Sequence, residues 1–522
     1  MYLLYTNADI LSVKKDFKMK GKKILSLLVL TCLVFQLFSV TAFANNEIKG
    51  DVNGDGKISL SDARAVLRSV AQIEILPQEK LSVADYDGDG ALTFEDARKI
   101  LSASIDLPPE YVGIEKFTQL TPKKSNAGIT TKSKFCMVLN DYSETLAATP
   151  VDNKSNPLYS PLLAGTFDYI KEGPVKDSSS GHEFYVLKSG RRVYSDAVKV
   201  FTGYDMPLNN IEIMNYIETI GSDTQFYLKL DWRVPFNVTI KPQEYEKGYN
   251  SREHNLKDGK FTATYMDITF YYTGNYEGKI SFPESDMIKS MKWVKNESKG
   301  TVTLRIYFKN EGSFMGYNVC YDENNFLVVS IKEPSYSLSD RVIMIDPGHG
   351  GNQPGAGSGT GVYERDVTYK ISLELKKLLE KQGATVLFTR DDGKSVPEIE
   401  ERRLNAYELN PDMFVSIHCD SSDSKSTKGS SVYYYKNYSG PLAYAIAEKL
   451  PKAIKSSTGY AMNDRGAHFY PFLVTRIENC PSVLVECGFI SNADDFKIIN
   501  SDSGRKAIAK GIYEGIVEYY GY

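Results

Sequence analysis

The chain has 522 residues, 42% of them hydrophobic and 25% charged, with a formal net charge of −4. This length and apolar content suffice for three or four domains with real cores. The slightly acidic balance carries no polyanion signal, which excludes nucleic acid as a partner.

The first eighteen residues read as upstream sequence, with translation starting at Met19. Met19 to Lys23 is basic, Ile24 to Val40 is an almost unbroken apolar stretch, and Ala42-Phe43-Ala44 is a small-x-small cleavage site. Residues 1–44 are therefore expected to be upstream sequence and a signal peptide. The product would be secreted, with no transmembrane anchor after cleavage; an uncleaved anchor is the alternative. Cys136, Cys320, Cys419, Cys480 and Cys487 then remain, an odd and sparse set for a disulfide framework.

Next comes an internal repeat. Asp51, Asn53, Asp55, Gly56, Ser59 and Asp62 recur 34 residues later as Asp85, Asp87, Asp89, Gly90, Thr93 and Asp96, and each block runs through Ala-Arg into an apolar helical pattern. This is calcium-loop spacing: oxygen ligands at loop positions 1, 3, 5, 9 and 12, the backbone carbonyls of Lys57 and Ala91 at position 7, and a glycine at position 6 for the sharp turn. Two structural Ca2+ ions are expected. Position 12 is Asp rather than Glu, and the mature chain would leave no room for a helix before the first loop. The duplicated loop-plus-helix resembles a type I dockerin over residues 45–110, which implies a small α-helical module and a cohesin-bearing scaffold as partner. Docking residues in such modules just precede position 12, here Leu60-Ser61 and Phe94-Glu95. A calcium-stabilised spacer without a partner is the plainer alternative.

Residues from about Tyr111 to Pro334 carry much tyrosine and little chemistry. Phe226 to Leu230, Phe261 to Tyr272, Thr301 to Phe308 and Phe326 to Ile331 alternate apolar and polar residues between turn residues, which predicts antiparallel β structure. A break near Thr219 to Thr224 divides the region into 111–220, of unknown role, and 221–338. The second part resembles the β-rich AMIN modules that precede some amidases and bind wall polymers or envelope partners. His182 and His254 read as surface residues.

Four segments in the last third carry the chemistry. Val342 to Ile345 is an apolar run ending at Asp346-Pro347-Gly348-His349; Met413 to Ile417 ends at His418; Pro481 to Val485 ends at Glu486. Such placement at strand ends is where α/β proteins put reactive groups. Glu364 opens a helix marked by Val367, Ile371, Leu375 and Leu378-Leu379. His349, Glu364 and His418 would give a catalytic zinc two imidazoles and a carboxylate and leave a fourth position for water. Glu486, outside the ligand set, is the candidate to move that water's proton. His468 reads as a cleft or surface residue. Cys419 and Cys487 each follow a site residue, and strand alternation points them to the opposite face.

Residues 339–522 resemble the zinc-dependent N-acetylmuramoyl-L-alanine amidases of the type 3 family. The matching pieces are Ile345 to Gly351, Thr389-Arg390, Glu401-Arg402, Ser416 to His418, Gly429 before Val432 to Tyr435, Phe472 to Arg476, and Val483 to Asn492. The resemblance implies a mixed, largely parallel sheet flanked by helices, one catalytic Zn2+ held by His349, Glu364 and His418, and Glu486 as catalytic glutamate. Where the family commonly has Ala-Asn and Asn, this chain has Ala406-Tyr407 and Asp420. Only 68 residues separate His418 from Glu486, too few for the inserted inhibitory helix of some members, so an open cleft is expected. The expected function is secreted hydrolysis of the amide between N-acetylmuramic acid and L-alanine in peptidoglycan, tethered by the dockerin. A catalytically silent wall-binding component and a zinc endopeptidase of wall peptides are the alternatives.

Overall fold

The structure is a computed structural model. It describes residues 48–100 apart from 55, 57, 59, 71–75, 89, 94–95 and 98, and residues 134–521 apart from 141–142, 144–145, 148–159, 177–180, 203–207, 221–222, 242–260, 278–284, 286, 297–298, 311–313, 323–325, 334–336, 340 and 391–396. The expected signal peptide, His254, and the expected calcium or docking residues Asp55, Lys57, Ser59, Asp89, Phe94 and Glu95 lie outside the described residues. Among the described residues no helix is long and apolar enough to cross a membrane.

The chain divides into two units, the first built on residues up to 66 and 76–104. In the repeat region, α1 (Leu60–Val70) starts at the end of the first acidic loop and α2 (Leu81–Ala84) precedes the second. Apolar positions Val52, Ala63, Val66, Val83, Ala84, Ala97 and Ile100 are buried.

In the second unit, β1 (Lys134–Val138), β2 (Leu146–Ala147), β3 (Phe167–Lys176), β4 (Glu183–Leu187), β5 (Arg191–Tyr194) and β6 (Val198–Thr202) form one sheet, order β2-β5-β4-β3-β1-β6. Two further sheets follow from β7 (Asn209–Ile220), β8 (Asp223–Leu230), β9 (Phe236–Lys241), β10 (Tyr265–Tyr271), β11 (Thr273–Glu277), β12 (Ile288–Asn296), β13 (Thr301–Phe308), β14 (Tyr317–Tyr321) and β15 (Leu327–Lys332), with orders β12-β13-β10-β9 and β11-β7-β8-β15-β14. Alternation decides the inward faces. Phe226 and Leu228 of β8, Ile268 and Phe270 of β10, Leu304 and Ile306 of β13, and Val329 and Ile331 of β15 meet in one core, so the two sheets form a sandwich. The break expected near Thr219 to Thr224 falls where β7 and β8 pair antiparallel, with Ile220 opposite Asp223. A boundary at 220/221 would cut that pair, and β7 belongs with the sandwich because its partner strand follows it directly.

The C-terminal layer is built from β16 (Val342–Pro347), α3 (Glu364–Glu380), β17 (Thr385–Phe388), α4 (Ile399–Leu409), β18 (Met413–Asp420), β19 (Ser430–Tyr434), α5 (Gly440–Thr458), β20 (Asp464–Phe469), β21 (Ser482–Phe489), α6 (Ala493–Ile499) and α7 (Asp502–Tyr519). The strand order is β17-β16-β18-β21-β19-β20. All pairs are parallel except β19–β21, so the sheet is mixed and largely parallel. Its central strands are continuous apolar runs because both faces are covered: α3, α5 and α7 bury Val367, Ile371, Leu375, Leu379, Ile446, Leu450, Ile508 and Ile512 in one core, and Ala406 of α4 joins Met344, Phe414, Val474, Ile477 and Leu484 in a second core on the other face. The longest helix between His418 and Glu486 is α5, and its apolar face is part of that core.

Candidate active site

The carboxyl ends of β16, β18 and β21 lie side by side, which brings together residues far apart in the chain. In the parallel ladders Asp346 pairs with Ser416, and His418 with Glu486. Residues directly opposite on neighbouring strands face the same side, so His418 and Glu486 share the mouth of one crevice. His349 follows β16 in a left-handed conformation, φ 62°, unusual for a residue with a side chain and maintained only where the surroundings enforce it. The enforcement is visible. Arg402, in the first turns of α4, donates to His349 O at 2.7 Å, Pro347 O at 3.1 Å and Asp346 Oδ1 at 2.5 Å. Arg390 donates to Pro347 O at 2.9 Å and to Arg365 O at 2.8 Å. Asp346 also accepts from Ser416 Oγ at 2.6 Å and Thr389 Oγ1 at 2.5 Å. Burial disfavours its charge, but Arg402 with the two hydroxyls outweighs that and holds the carboxyl below its usual range. In the sequence Arg390 and Arg402 are visible only as pieces of a family pattern, and nothing in their spacing marks them as clamps on the histidine loop.

Glu364, at the start of α3, sits between the imidazoles. Its Oε2 is 3.0 Å from His349 Nε2 and its Oε1 2.9 Å from His418 Nδ1. The backbone amides of Ala356 and Cys419 each donate to it at 2.9 Å. Burial alone would raise the Glu364 pKa, yet the hydrogen bonds from both imidazoles carry it far below the ordinary carboxylate range. His418 is the mirror case: burial opposes its charge, Glu364 favours it, and the balance sets it at about 8. One donor atom from each of His349, Glu364 and His418 falls within a group no more than 4.8 Å across. Two glycines make room. A Cβ on Gly348 would meet the His418 ring at 2.5 Å, and one on Gly355 would meet Glu364 Oε2 at 2.6 Å.

Glu486, opposite His418 in the ladder, lies beside this cluster. Its Oε2 is buried and has no hydrogen-bond partner. Burial is the main cause of a pKa raised to about 8; His418 opposes the rise, and Glu364 and Asp420 add to it. A carboxyl that titrates near neutrality can both accept and return a proton. Cys419 and Cys487 are buried on the opposite, core side. Beside the crevice Tyr433 stands against Phe472 at 5.2 Å and His468 at 5.5 Å between ring centroids, and Tyr470 lies tilted against Phe472 at 4.5 Å. His468 thus belongs to an aromatic cleft wall and not to the metal-type cluster. His182 is exposed. Tyr407, one of the positions that depart from the family pattern, is buried, and Asp420 lies close enough to Glu486 to affect its charge.

The described parts of the two acidic loops repeat each other. Asp51 accepts from Gly54 N and Gly56 N, both at 2.8 Å, and Asp85 from Gly88 N at 2.8 Å and Gly90 N at 3.0 Å. Asp62 accepts from Asn53 N at 2.8 Å, and Asp96 from Asp87 N at 3.1 Å. Asp85, Asp87 and Asp96 converge within the same 4.8 Å limit. Of the expected docking residues, Leu60 and Ser61 begin α1.

Residues 343–518 match the N-acetylmuramoyl-L-alanine amidase family, and residues 49–101 match the type I dockerin domain. A Staphylococcus saprophyticus protein described as "Probable cell wall amidase LytH" is 33% identical over 275 residues, covering 52% of this chain and 84% of that protein. The chain belongs to the N-acetylmuramoyl-L-alanine amidase family. A LytH from Staphylococcus aureus is 30% identical over 231 residues, covering 44% of this amidase and 72% of the relative. Among solved structures, the catalytic domain of CwlV, an N-acetylmuramoyl-L-alanine amidase from Bacillus (Paenibacillus) polymyxa, is 31% identical and covers 34% of this amidase and 97% of that chain, with a TM-score of 0.32. The protein is thus a cell-wall-type amidase, a hydrolase, with a dockerin at the amino-terminal side of its catalytic domain.

Proposed function

We propose that this amidase is a secreted, zinc-dependent enzyme that cleaves the bond between N-acetylmuramic acid and L-alanine, with His349, Glu364 and His418 as ligands and Glu486 as the proton-transfer residue. The convergence of those three donors beside the unpartnered Glu486 Oε2 carries the reading. The donor set suits zinc. Two imidazoles and a carboxylate form a common catalytic set, and one donor atom from each of the three residues lies within 4.8 Å of the others. Zinc bound there would polarise the amide carbonyl and make water a nucleophile at neutral pH.

The remaining chemistry falls to the chain's own groups. Glu486 accepts a proton from the water that attacks the lactyl carbonyl carbon. It then delivers that proton to the nitrogen of L-alanine as the carbon–nitrogen bond breaks, which leaves a muramic acid carboxylate and a free peptide amine. Arg390 and Arg402 hold the His349 loop, and the wall of Tyr433, His468 and Phe472 borders the approach. In the same reading residues 1–44 direct export, 45–110 bind two calcium ions and dock a cohesin through Leu60, Ser61, Phe94 and Glu95, the β-rich sheets contact wall polymer, and 339–522 hydrolyse it. The enzyme acts extracellularly, at the wall or on a cell-surface scaffold.

Digestion of purified peptidoglycan, with and without a chelator and beside Glu486→Gln, tests this. New N-terminal L-alanine on intact glycan strands, lost on chelation and in the variant, is expected by mass spectrometry. Cuts inside the stem peptide would make the enzyme an endopeptidase, and no new termini would leave a wall-binding protein.

A further inference from the structure

Helix α4 is held at both ends by different parts of the protein. Its first turns deliver Arg402 to the carbonyl of His349. Its last residue runs into Asn410, in the left-handed conformation at φ 45°, whose side chain reaches the β-sandwich. Asn410 Nδ2 donates to Asp223 Oδ2 at 2.8 Å, and Lys332 Nζ lies 3.5 Å from Asn410 Oδ1. Asp223 opens β8 and Lys332 closes β15; the two pair directly in the ladder and form an ion pair at 3.4 Å. Each is only 2% exposed. Lys332 Nζ is also 3.6 Å from Asp412, which accepts from the amide of Val342 at 2.8 Å. One sandwich pair therefore braces the C-terminal end of α4 and the foot of β16, the two elements whose far ends place Arg402 and His349.

An 11-residue helix is a rod about 16 Å long. Fixing its end fixes the direction in which its first turn presents a side chain. A buried ion pair is also a poor choice for adhesion alone, since apolar residues of the same volume serve stability as well or better, whereas hydrogen-bonded charges specify one register.

We propose that Asp223 and Lys332 are positioning residues for the hydrolytic centre, acting through Asn410 and α4 on Arg402 and thereby on His349, so that the β-sandwich is part of the catalytic unit. This rests on the reading of His349 as a zinc ligand. The experiment uses the full chain with Asp223→Ala, Asn410→Ala and the conservative Asp223→Asn, whose side-chain oxygen can still accept from Asn410. Zinc affinity is measured by competition with a chromophoric chelator, kcat and KM on a soluble muramoyl peptide, and stability by thermal unfolding. Asp223→Ala and Asn410→Ala should weaken zinc binding on the order of 10-fold and lower kcat comparably with little change in KM, and Asp223→Asn should recover most of both. Val329→Ala, in the sandwich core, serves as control, lowering the unfolding temperature without moving zinc affinity. If Asp223→Ala and Asn410→Ala behave like Val329→Ala, the inference is overturned; should Asp223→Ala not fold, Asn410→Ala decides. A wild-type chain that takes up no zinc would instead sink the metal reading, and kcat then decides the positioning role by itself.

Discussion

Adding one methyl group at Gly348 should disable the centre while leaving the fold in place. The new Cβ would lie 2.5 Å from His418 Cε1, 2.6 Å from Nε2 and 2.7 Å from Nδ1. Carbon atoms settle at about 3.5–4.0 Å, so ring and loop must separate by about 1 Å. Neither yields readily. The loop carbonyls are held by Arg390 and Arg402, and the ring is held 2.9 Å from Glu364 on the central strand of the sheet. A ligand displaced by that much falls outside a shared coordination sphere. We expect zinc affinity to fall about 10–100-fold and turnover on the order of 100-fold, the usual effect of a 1 Å misplacement. Overpacking should cost about 1–3 kcal/mol of stability, which leaves the protein folded at 25 °C. Gly348→Ala is assayed for zinc uptake, for turnover on a muramoyl peptide and for thermal unfolding. Wild-type turnover and zinc uptake in a folded Gly348→Ala protein would refute the reasoning.

Glu486→Gln should retain zinc within error yet lose about 10²–10⁴-fold in kcat; loss of metal with the activity would place Glu486 among the ligands instead. Asp346→Asn should destabilise the protein by about 3–5 kcal/mol at pH 7, because it leaves Arg402 buried without its counter-charge. The sign follows from the depressed Asp346 pKa: its contribution is present above the unfolded value of about 3.9 and disappears as pH falls through the folded value. The gap between wild type and variant in denaturant titrations should therefore close below about pH 4, and a gap constant down to pH 2 contradicts the assignment. Removing calcium with a selective chelator should open residues 48–100 to protease and leave the amidase domain resistant, since Asp85, Asp87 and Asp96 then repel at close range. Unchanged digestion would refute a structural role for calcium.

Much of the site was legible because it depends on local patterns. Apolar runs ending in Asp346 to His349, in His418 and in Glu486 mark three buried strands and their carboxyl ends, and the helical spacing after Glu364 marks the helix whose first residue it is. The acidic repeat was legible for the same reason: all its acidic and glycine positions sit within one short loop. The arginine clamp was not. Arg402 meets Asp346 and His349 across 56 and 53 residues of sequence, and a side chain bonded to backbone carbonyls leaves no periodicity to read. The left-handed His349 is hidden likewise, since its conformation is imposed by those distant donors. The hairpin of β7 and β8 was misplaced as a boundary because a polar turn and a linker share the same composition.

The order of strands in the C-terminal sheet has a consequence for when the site can form. Strand β21 is the last in sequence but sits between β18 and β19 in space, so the sheet cannot close before nearly the whole domain has been synthesised. Contacts of such long sequence separation form late and slowly. A growing chain would carry His349, Glu364 and His418 without the strand that aligns Glu486 beside them. The site therefore assembles in a single late step, and a chain kept unfolded does not yet hold it.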